Sequence, residues 1–195
     1  MTDKRIDENK RKKALVRGAG DLATGVGAAL HRAGYQVIMT EITTPMTVRR
    51  EVAMSRAVYE GHAKVEGIEG ILVSDYREAE KVLKEGKIAV IIDPAADIRK
   101  EFCPDVLIDA ILAKRNTGTT REAAPYVIGL GPGFTAGKDV HAVIETMRGA
   151  TLADIIYDGV PIPNTGVPGY VGGYAIERLI KASGTGTMEP KAKIG

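Results

Sequence analysis

Residues 14–41 read ALVRGAGDLATGVGAALHRAGYQVIMTE, and this stretch decides the fold. Ala14 to Val16 is a short apolar run of the kind that forms a buried strand. Arg17, Gly18, Ala19 and Gly20 break the run as a turn, and Asp21 stands where a helix cap belongs. Leu22, Val26, Ala29, Leu30 and Ala33 then recur on one helical face until Gly34 stops the pattern. Gln36 to Thr40 is a second apolar strand that ends on Glu41. The spacing Gly18-x-Gly20-x-x-Ala23 matches the dinucleotide fingerprint. Its first glycine allows the tight turn, its second lets the backbone approach a pyrophosphate, and a small third residue permits close helix–sheet packing. Free backbone N–H groups and the helix dipole attract phosphate. Glu41, about 20 residues further on, stands where an acidic side chain accepts hydrogen bonds from ribose hydroxyls. The cofactor-binding residues expected in this unit are Gly18, Ala19, Gly20, Asp21, Leu22, Ala23 and Glu41.

Two details of the unit stay open in the sequence. Gly25 and Gly27 lie inside the helix, where each costs about 1 kcal/mol against Ala, so a packing or ligand reason for the missing side chains is expected. Arg49 and Arg50 would suit a 2′-phosphate, whereas Glu41 argues for a bare ribose. The alternative places both arginines on the solvated face of a helix from about Val48 to Tyr59. The bland reading of the whole unit is the same fold with a turn that binds nothing, since fold alone does not fix function.

Further apolar runs follow at Gly70 to Val73, Ile88 to Ile92, Val106 to Ile111 and Tyr126 to Leu130, with helical or glycine-rich stretches between them. This alternation predicts an α/β fold, a Rossmann-like, mainly parallel sheet with helices on both faces. Tyr76 to Gly86 reads as one of the helices: Ala79, Val82 and Leu83 share a face and Gly86 ends it. Beyond about Gly131 glycine and proline become dense. Candidate strands at Val140 to Glu145, Ala153 to Tyr157 and Tyr174 to Ile180 suggest a β-rich C-terminal extension. The expected organisation is a charged disordered leader over 1–13, a nucleotide-binding domain over 14–138, a β-rich extension packed on it over 139–182, and a mobile tail over 183–195.

The chain has 195 residues, 44% of them hydrophobic, enough for one buried core. Its 27 basic residues are offset by 25 acidic ones, for a net charge of +2, so no basic field for nucleic acid is expected. The lone Cys103 excludes an internal disulfide framework and a cysteine metal site. No run is apolar and long enough for a bilayer, so no membrane partner is expected and the cytoplasm is the natural compartment. A homo-oligomer is compatible with all of this.

Two more polar clusters follow strands. The first is Asp109 and Lys114, Arg115, Asn116, Thr117, Gly118, Thr119, Thr120, Arg121. Ligands in open parallel sheets sit beyond the carboxyl ends of strands, so this group reads as an anion or cofactor clamp, or else as a helix start with capping threonines. The second runs from Gly129 through Gly131 and Gly133 to Gly137, Lys138 and Asp139. It is one residue short of a Walker A loop, and Asp139 replaces the Ser or Thr that would hold magnesium, which disfavours ATP hydrolysis. A glycine-lined loop still suits close approach to a ligand, or a tight connection. Asp93-Pro94 is a turn or a ligand-facing carboxylate. The histidines His31, His62 and His141 lack metal-ligand spacing, so no metal is expected, and His141 reads as a hydrogen-bonded structural residue.

Taken together, VRGAGDLATGV (16–26), MTEITTPMTVRREVAMSRAVYEG (39–61), VLIDAILAKRNTGTT (106–120), VIGLGPGFTAGKDVHAVIETMRG (127–149) and NTGVPGYVGGY (164–174) resemble the YqeB family of selenium-dependent molybdenum hydroxylase system proteins. The resemblance runs from about Leu15 to Lys181. That family is similar to the XdhC-type accessory proteins, with a Rossmann-like domain and a link to molybdenum cofactor handling. The resemblance marks Gly18, Gly20 and Asp21, then Lys114, Arg115 and Asn116, then Gly131, Gly133 and Asp139 as functional positions, without assigning roles. It also implies continuation into a small lipoyl-like β module, whose start Gly184 to Gly195 resembles, so that this chain reads as a truncated form.

Three functions are then open. The first is an accessory or maturation factor of a molybdenum hydroxylase that binds a dinucleotide-type cofactor, NAD(P) or a pterin dinucleotide. Its pyrophosphate would lie on Gly18 to Leu22 and its far end near Lys114 to Arg121. The second is an NAD(P)-dependent oxidoreductase in which Lys114, Asp109 or His141 assists proton transfer. The third is a nucleotide-sensing interaction protein. No acid or base is marked convincingly by the sequence, so binding ranks above catalysis and no catalytic residue is assigned.

Overall fold

The computed structural model describes residues 11–180, 182–187, 189 and 191. The expected leader therefore lies outside the described residues up to Lys10, as do 188, 190 and 192–195 of the expected tail. Lys13, assigned to that leader, is the first residue of a strand.

The opening unit forms as read: β1 (Lys13–Arg17), α1 (Asp21–Arg32) and β2 (Gln36–Glu41). After it come α2 (Ala57–Glu60), β3 (His62–Val65), β4 (Ile68–Val73), α3 (Tyr76–Lys84), β5 (Ile88–Ile92), α4 (Arg99–Phe102), β6 (Val106–Asp109), β7 (Tyr126–Leu130), β8 (Ala142–Ile144) and β9 (Ile155–Ile156). All nine strands join one sheet in the order β3-β4-β5-β2-β1-β6-β7-β8-β9. The run β5-β2-β1-β6-β7-β8 is wholly parallel. It reproduces the strand order 3-2-1-4-5-6 of a doubly wound dinucleotide-binding sheet, with the switch point between β1 and β6. β4 adds a parallel strand beside β5, and β3 and β9 pair antiparallel at the two edges.

Strand alternation sorts the core into two layers. Val16, Val37, Met39, Val90 and Ile108 face α1 and α2. Leu15, Ile38, Ala89, Ile91 and Leu107 face α3 and α4, around the fully buried Phe102. Asp75 caps α3 by accepting from the Glu78 N–H at 2.9 Å, and Gly86 follows its end with φ +73°. The connections β6–β7 and β7–β8 contain no α-helix, only a short 3₁₀ turn at Arg121–Ala123.

Four expectations change. β3 was not anticipated, although His62–Val65 alternates and leads into β4 through Glu66 and Gly67, both at positive φ (50° and 81°), the conformation a tight hairpin turn demands. The helix expected from Val48 to Tyr59 is two 3₁₀ turns, Arg50–Val52 and Met54–Arg56, and the single turn α2. β8 and β9 extend the sheet edge-on rather than packing on it, so residues 139–163 go with the preceding domain. The chain divides into compact units after Pro163. Tyr174 to Ile180 is not a strand; a bridge joins Val171 to Tyr174 and a 3₁₀ turn covers Ile176–Arg178. Among the described residues no helix is long and apolar enough to cross a membrane.

The loop from β8 to Pro163 is held by Glu145, only 2% exposed. Its carboxylate accepts from the N–H groups of Thr146, Met147 and Ile162, each at 2.7 Å. Burial pushes this carboxyl up, but the three backbone donors outweigh it and hold it below the usual range. A lowered folded pKa stabilises above the ordinary Glu range and is lost as pH falls through the folded value. Glu145→Gln is therefore expected to lower stability at neutral pH and to flatten its acid dependence, measured as urea midpoints from about pH 6 down to about pH 3. Phe102→Ala is expected to cost about 3–5 kcal/mol in the same assay, because the ring is fully buried in the α3/α4 layer.

Candidate functional site

The glycine turn is built by sterics at the switch point. Gly18 has φ +97°, and a Cβ there would lie 3.1 Å from the Ala110 carbonyl oxygen and 3.3 Å from Ile111 Cα. Only glycine fits, because the backbone after β1 touches the backbone after β6. Its N–H donates to the Thr40 carbonyl at 2.9 Å, which fixes the turn against β2. Gly20, not Asp21, is the N-cap of α1. Asp21 is the first helical residue, and its carboxylate pairs with Arg49. The first-turn amides of α1 have no acceptor within the helix.

Glu41 bends back over this turn. One carboxylate oxygen accepts from Ala19 N–H at 3.1 Å and the other from Ile42 N–H at 2.7 Å. A carboxylate has acceptor capacity for more than these two bonds. The result is a cleft of about 620 Å³ at the carboxyl ends of β1, β2 and β6, lined by Gly18, Gly20, Asp21, Leu22, Ala23 and Glu41 on one side and by Ala110 to Ala113 on the other. Ala19 is fully buried behind it. The loop 42–49 forms the outer wall, tied down by Thr47 Oγ1 to Ser55 Oγ at 2.8 Å and by the Tyr59 hydroxyl donating to Pro45 O at 2.8 Å. The volume is within the range of small-molecule sites.

The other sequence clusters adjoin this cleft without lining it. Lys114, Arg115 and Asn116 do not line this cleft, which stops at Ala113. Leu112 and Lys114 both have positive φ (58° and 62°), strain of the kind that clusters near ligand sites. Asn116 shapes its own loop: its Oδ1 accepts from Gly118 and Thr119 N–H, and its Nδ2 donates to Thr119 O at 2.8 Å. A Cβ on Gly133 would lie 2.7 Å from the Arg115 backbone, and one on Gly131 2.5 Å from Thr146 Oγ1. These glycines thus have a packing reason in the loop-to-loop contact.

Several open alternatives close. Gly27 faces Met39 Sδ, 3.0 Å from where its Cβ would be, which is a packing reason; Gly25 has nothing within 4 Å. Arg49 pairs with Asp21 on the wall of the cleft, its side chain 64% exposed, while Arg50 stacks 4.9 Å from the Tyr59 ring centre. Asp93 accepts from Ile98 N–H at 2.8 Å and serves a turn. His141 accepts from Val127 N–H at 3.0 Å through Nδ1 and stacks on Tyr126, a structural role. Among the described residues no group of three His, Cys, Asp or Glu side chains could hold a metal ion.

One feature was missed in the sequence. Arg17 and Asp109 are register partners on β1 and β6. Arg17 Nη1 donates to Asp109 Oδ2 at 3.1 Å, with both residues at most 5% exposed. The buried Thr119 hydroxyl donates to the same oxygen at 2.6 Å and also accepts from Arg17, whose Nη2 donates to Pro94 O at 3.0 Å. By sequence alone Arg17 belongs to the turn. The available signal was a single charge at the end of each of two apolar strands.

Fold and site together define a Rossmann-like α/β protein whose glycine turn opens into a cleft of small-molecule size. No family model and no solved structure matches the chain. It is 47% identical over 181 residues to "Uncharacterized protein YqeB" of Escherichia coli (strain K12). The match covers 93% of this chain and 34% of that protein, so the chain spans about a third of the curated relative's length. The resemblance to the YqeB family is thereby supported over nearly all of the chain.

The two turn glycines are expected to behave differently on substitution. Gly18→Ala forces a side chain into a left-handed conformation and against Ala110, and should cost about 1–3 kcal/mol. Gly20 has φ −63° and room for a Cβ, whose nearest neighbour would be Thr47 Oγ1 at 3.7 Å. Gly20→Ala should stay within about 1 kcal/mol of the parent in urea unfolding.

Proposed function

We propose that this chain is the cofactor-binding part of a cytoplasmic accessory or maturation factor for a selenium-dependent molybdenum hydroxylase, holding a dinucleotide-type cofactor, NAD(P) or a pterin dinucleotide. The observation that carries the reading is the cleft at the β1/β6 switch point, with the open amides of α1 on one wall and the Glu41 carboxylate at the end of β2. The pyrophosphate would lie against the Gly20 to Ala23 backbone. Arg49 offsets the Asp21 charge that would otherwise repel it. Glu41, already accepting two amides, would take the ribose hydroxyls with its remaining lone pairs. Arg49 stands on the cleft wall paired with Asp21 and Arg50 stacks on Tyr59, so the acidic Glu41 at the end of β2 is what favours a bare ribose.

Binding is favoured over hydride transfer by the residues of the cleft itself. Among the described residues its lining holds no lysine or histidine, and its two carboxylates are engaged, Asp21 by Arg49 and Glu41 by two backbone amides. Of the three proton-transfer candidates, Lys114 lies past the cleft wall, His141 is engaged by Val127, and Asp109 is buried against Arg17.

The test is a thermal-shift series with NAD, NADP, FAD, CTP and a pterin dinucleotide. A ligand at about tenfold to a hundredfold above its Kd stabilises by about 1.4–2.7 kcal/mol, an easily resolved rise in Tm. Gly20→Glu, which the backbone tolerates, puts a carboxylate where the pyrophosphate would sit and should abolish the shift. The proposal fails if no ligand raises Tm, or if Gly20→Glu leaves the response intact.

A further inference from the structure

The cleft uses one face of the strand ends, and the buried guanidinium of Arg17 lies on the other. Arg17 shares a face with Leu15, and Asp109 with Leu107, on the α3/α4 side of the sheet. The contacts to Asp109, Thr119 and Pro94 all fall on the two terminal nitrogens. Arg17 Nε is sealed from solvent and has no acceptor among the described residues. A buried N–H without a partner is costly and rare, and more so on a cation. Asp109 does not supply the missing acceptor, because it meets Arg17 through one oxygen that Thr119 also uses, while its other oxygen accepts from Ile111 N–H at 3.2 Å.

A polar cavity of about 240 Å³ opens beside this guanidinium, walled by Arg17, Ala95, Arg99, Thr119, Thr120 and Glu122. It is separate from the cofactor cleft: Pro94 lines the cleft and Ala95 and Ala96 line the cavity. Arg99 adds a second guanidinium, engaged with the Ala96 carbonyl at 2.9 Å and with Asp97 at 3.3 Å. Among the described residues Glu122 is the one carboxylate in the wall, and it opposes an anion there.

We infer that this cavity is a second binding site, for a small oxoanion group, phosphate or carboxylate, that meets the incompletely satisfied guanidinium of Arg17 with Arg99, Thr119 and Thr120 around it. Arginine is suited to the role because its planar fork matches both kinds of oxoanion. The site does not rest on the cofactor reading, since it lies on the opposite face and shares no lining residue with the cleft.

The experiment is heteronuclear NMR of the full chain, following the Arg17 Nε–H and backbone amides during titration with inorganic phosphate or acetate, against chloride at equal ionic strength. Arg17 is kept intact because removing it strands Asp109 in the core. A saturable shift of the Arg17 Nε–H together with the Thr119 and Thr120 amides is expected from phosphate, from acetate or from both, and the stronger arm identifies the group. Ala95→Glu adds a carboxylate at an exposed wall position and should weaken binding by about tenfold or more, while Glu122→Gln should tighten it about threefold. Gly20→Glu should leave it unchanged. The inference is overturned if the Arg17 signal does not move, or if it moves equally and without saturation in chloride. It is also overturned if shifts confine themselves to the Asp21, Leu22 and Ala23 amides, an outcome that would place the anion in the cofactor cleft instead.

Discussion

The structure depends on the seam between β1 and β6. There the two halves of a doubly wound sheet meet, and two backbones must pass within contact of each other so that loops can diverge to opposite faces. Gly18 makes the contact possible by lacking a side chain, and Arg17 and Asp109, one residue back on each strand, pin it from below. A buried ion pair is a doubtful source of net stability, because desolvation consumes much of the attraction. What it supplies here is register, since a slip by one residue would bury both charges without partners.

Much else follows from that seam. The open start of α1 is aimed across the sheet edge because the turn preceding it is held against Thr40 on one side and Ala110 on the other. Glu41 can reach Ala19 because β2 ends level with the turn. The glycines of the third loop serve the same end, since Gly133 lies against the Arg115 backbone and Gly131 against Thr146. They bring the β7–β8 loop onto the loop that leaves β6, which in turn walls the cleft through Ala110 to Ala113. A ligand in the cleft would therefore touch residues supported by several loops while the supporting residues themselves stay out of reach.

The local chemistry was legible wherever neighbours in sequence are neighbours in space. Strand, turn, helix and second strand of residues 14–41 follow from hydrophobic spacing and glycine placement, as do β5, β7 and the helix α3. The hairpin of β3 and β4 has its own local signal in the alternation of His62 to Val65 and the Glu66-Gly67 turn, but four residues are too few for that alternation to stand out from a loop. Residues 48–59 misled for a physical reason. Their apolar spacing suits a helix, but Ser55 N–H bonds to Ala19 O and Met54 N–H to Thr24 Oγ1, and these long-range bonds break the segment into short turns.

The sequence by itself determined the α/β class, the glycine turn and the acidic end of β2, because each rests on interactions spanning a few residues or on the periodicity of one element. Only the tertiary structure decided which polar clusters share a site. Lys114 to Asn116 and Gly131 to Gly133 looked like further walls of the same cleft, but close loop packing claims the glycines and an internal turn claims Asn116. Arg17, which looked like a turn residue, became a buried cation because β6 brings Asp109 beside it. Spacing along a chain records what one element can do alone, whereas a partner 92 positions away is chosen by sheet register, which no local pattern encodes.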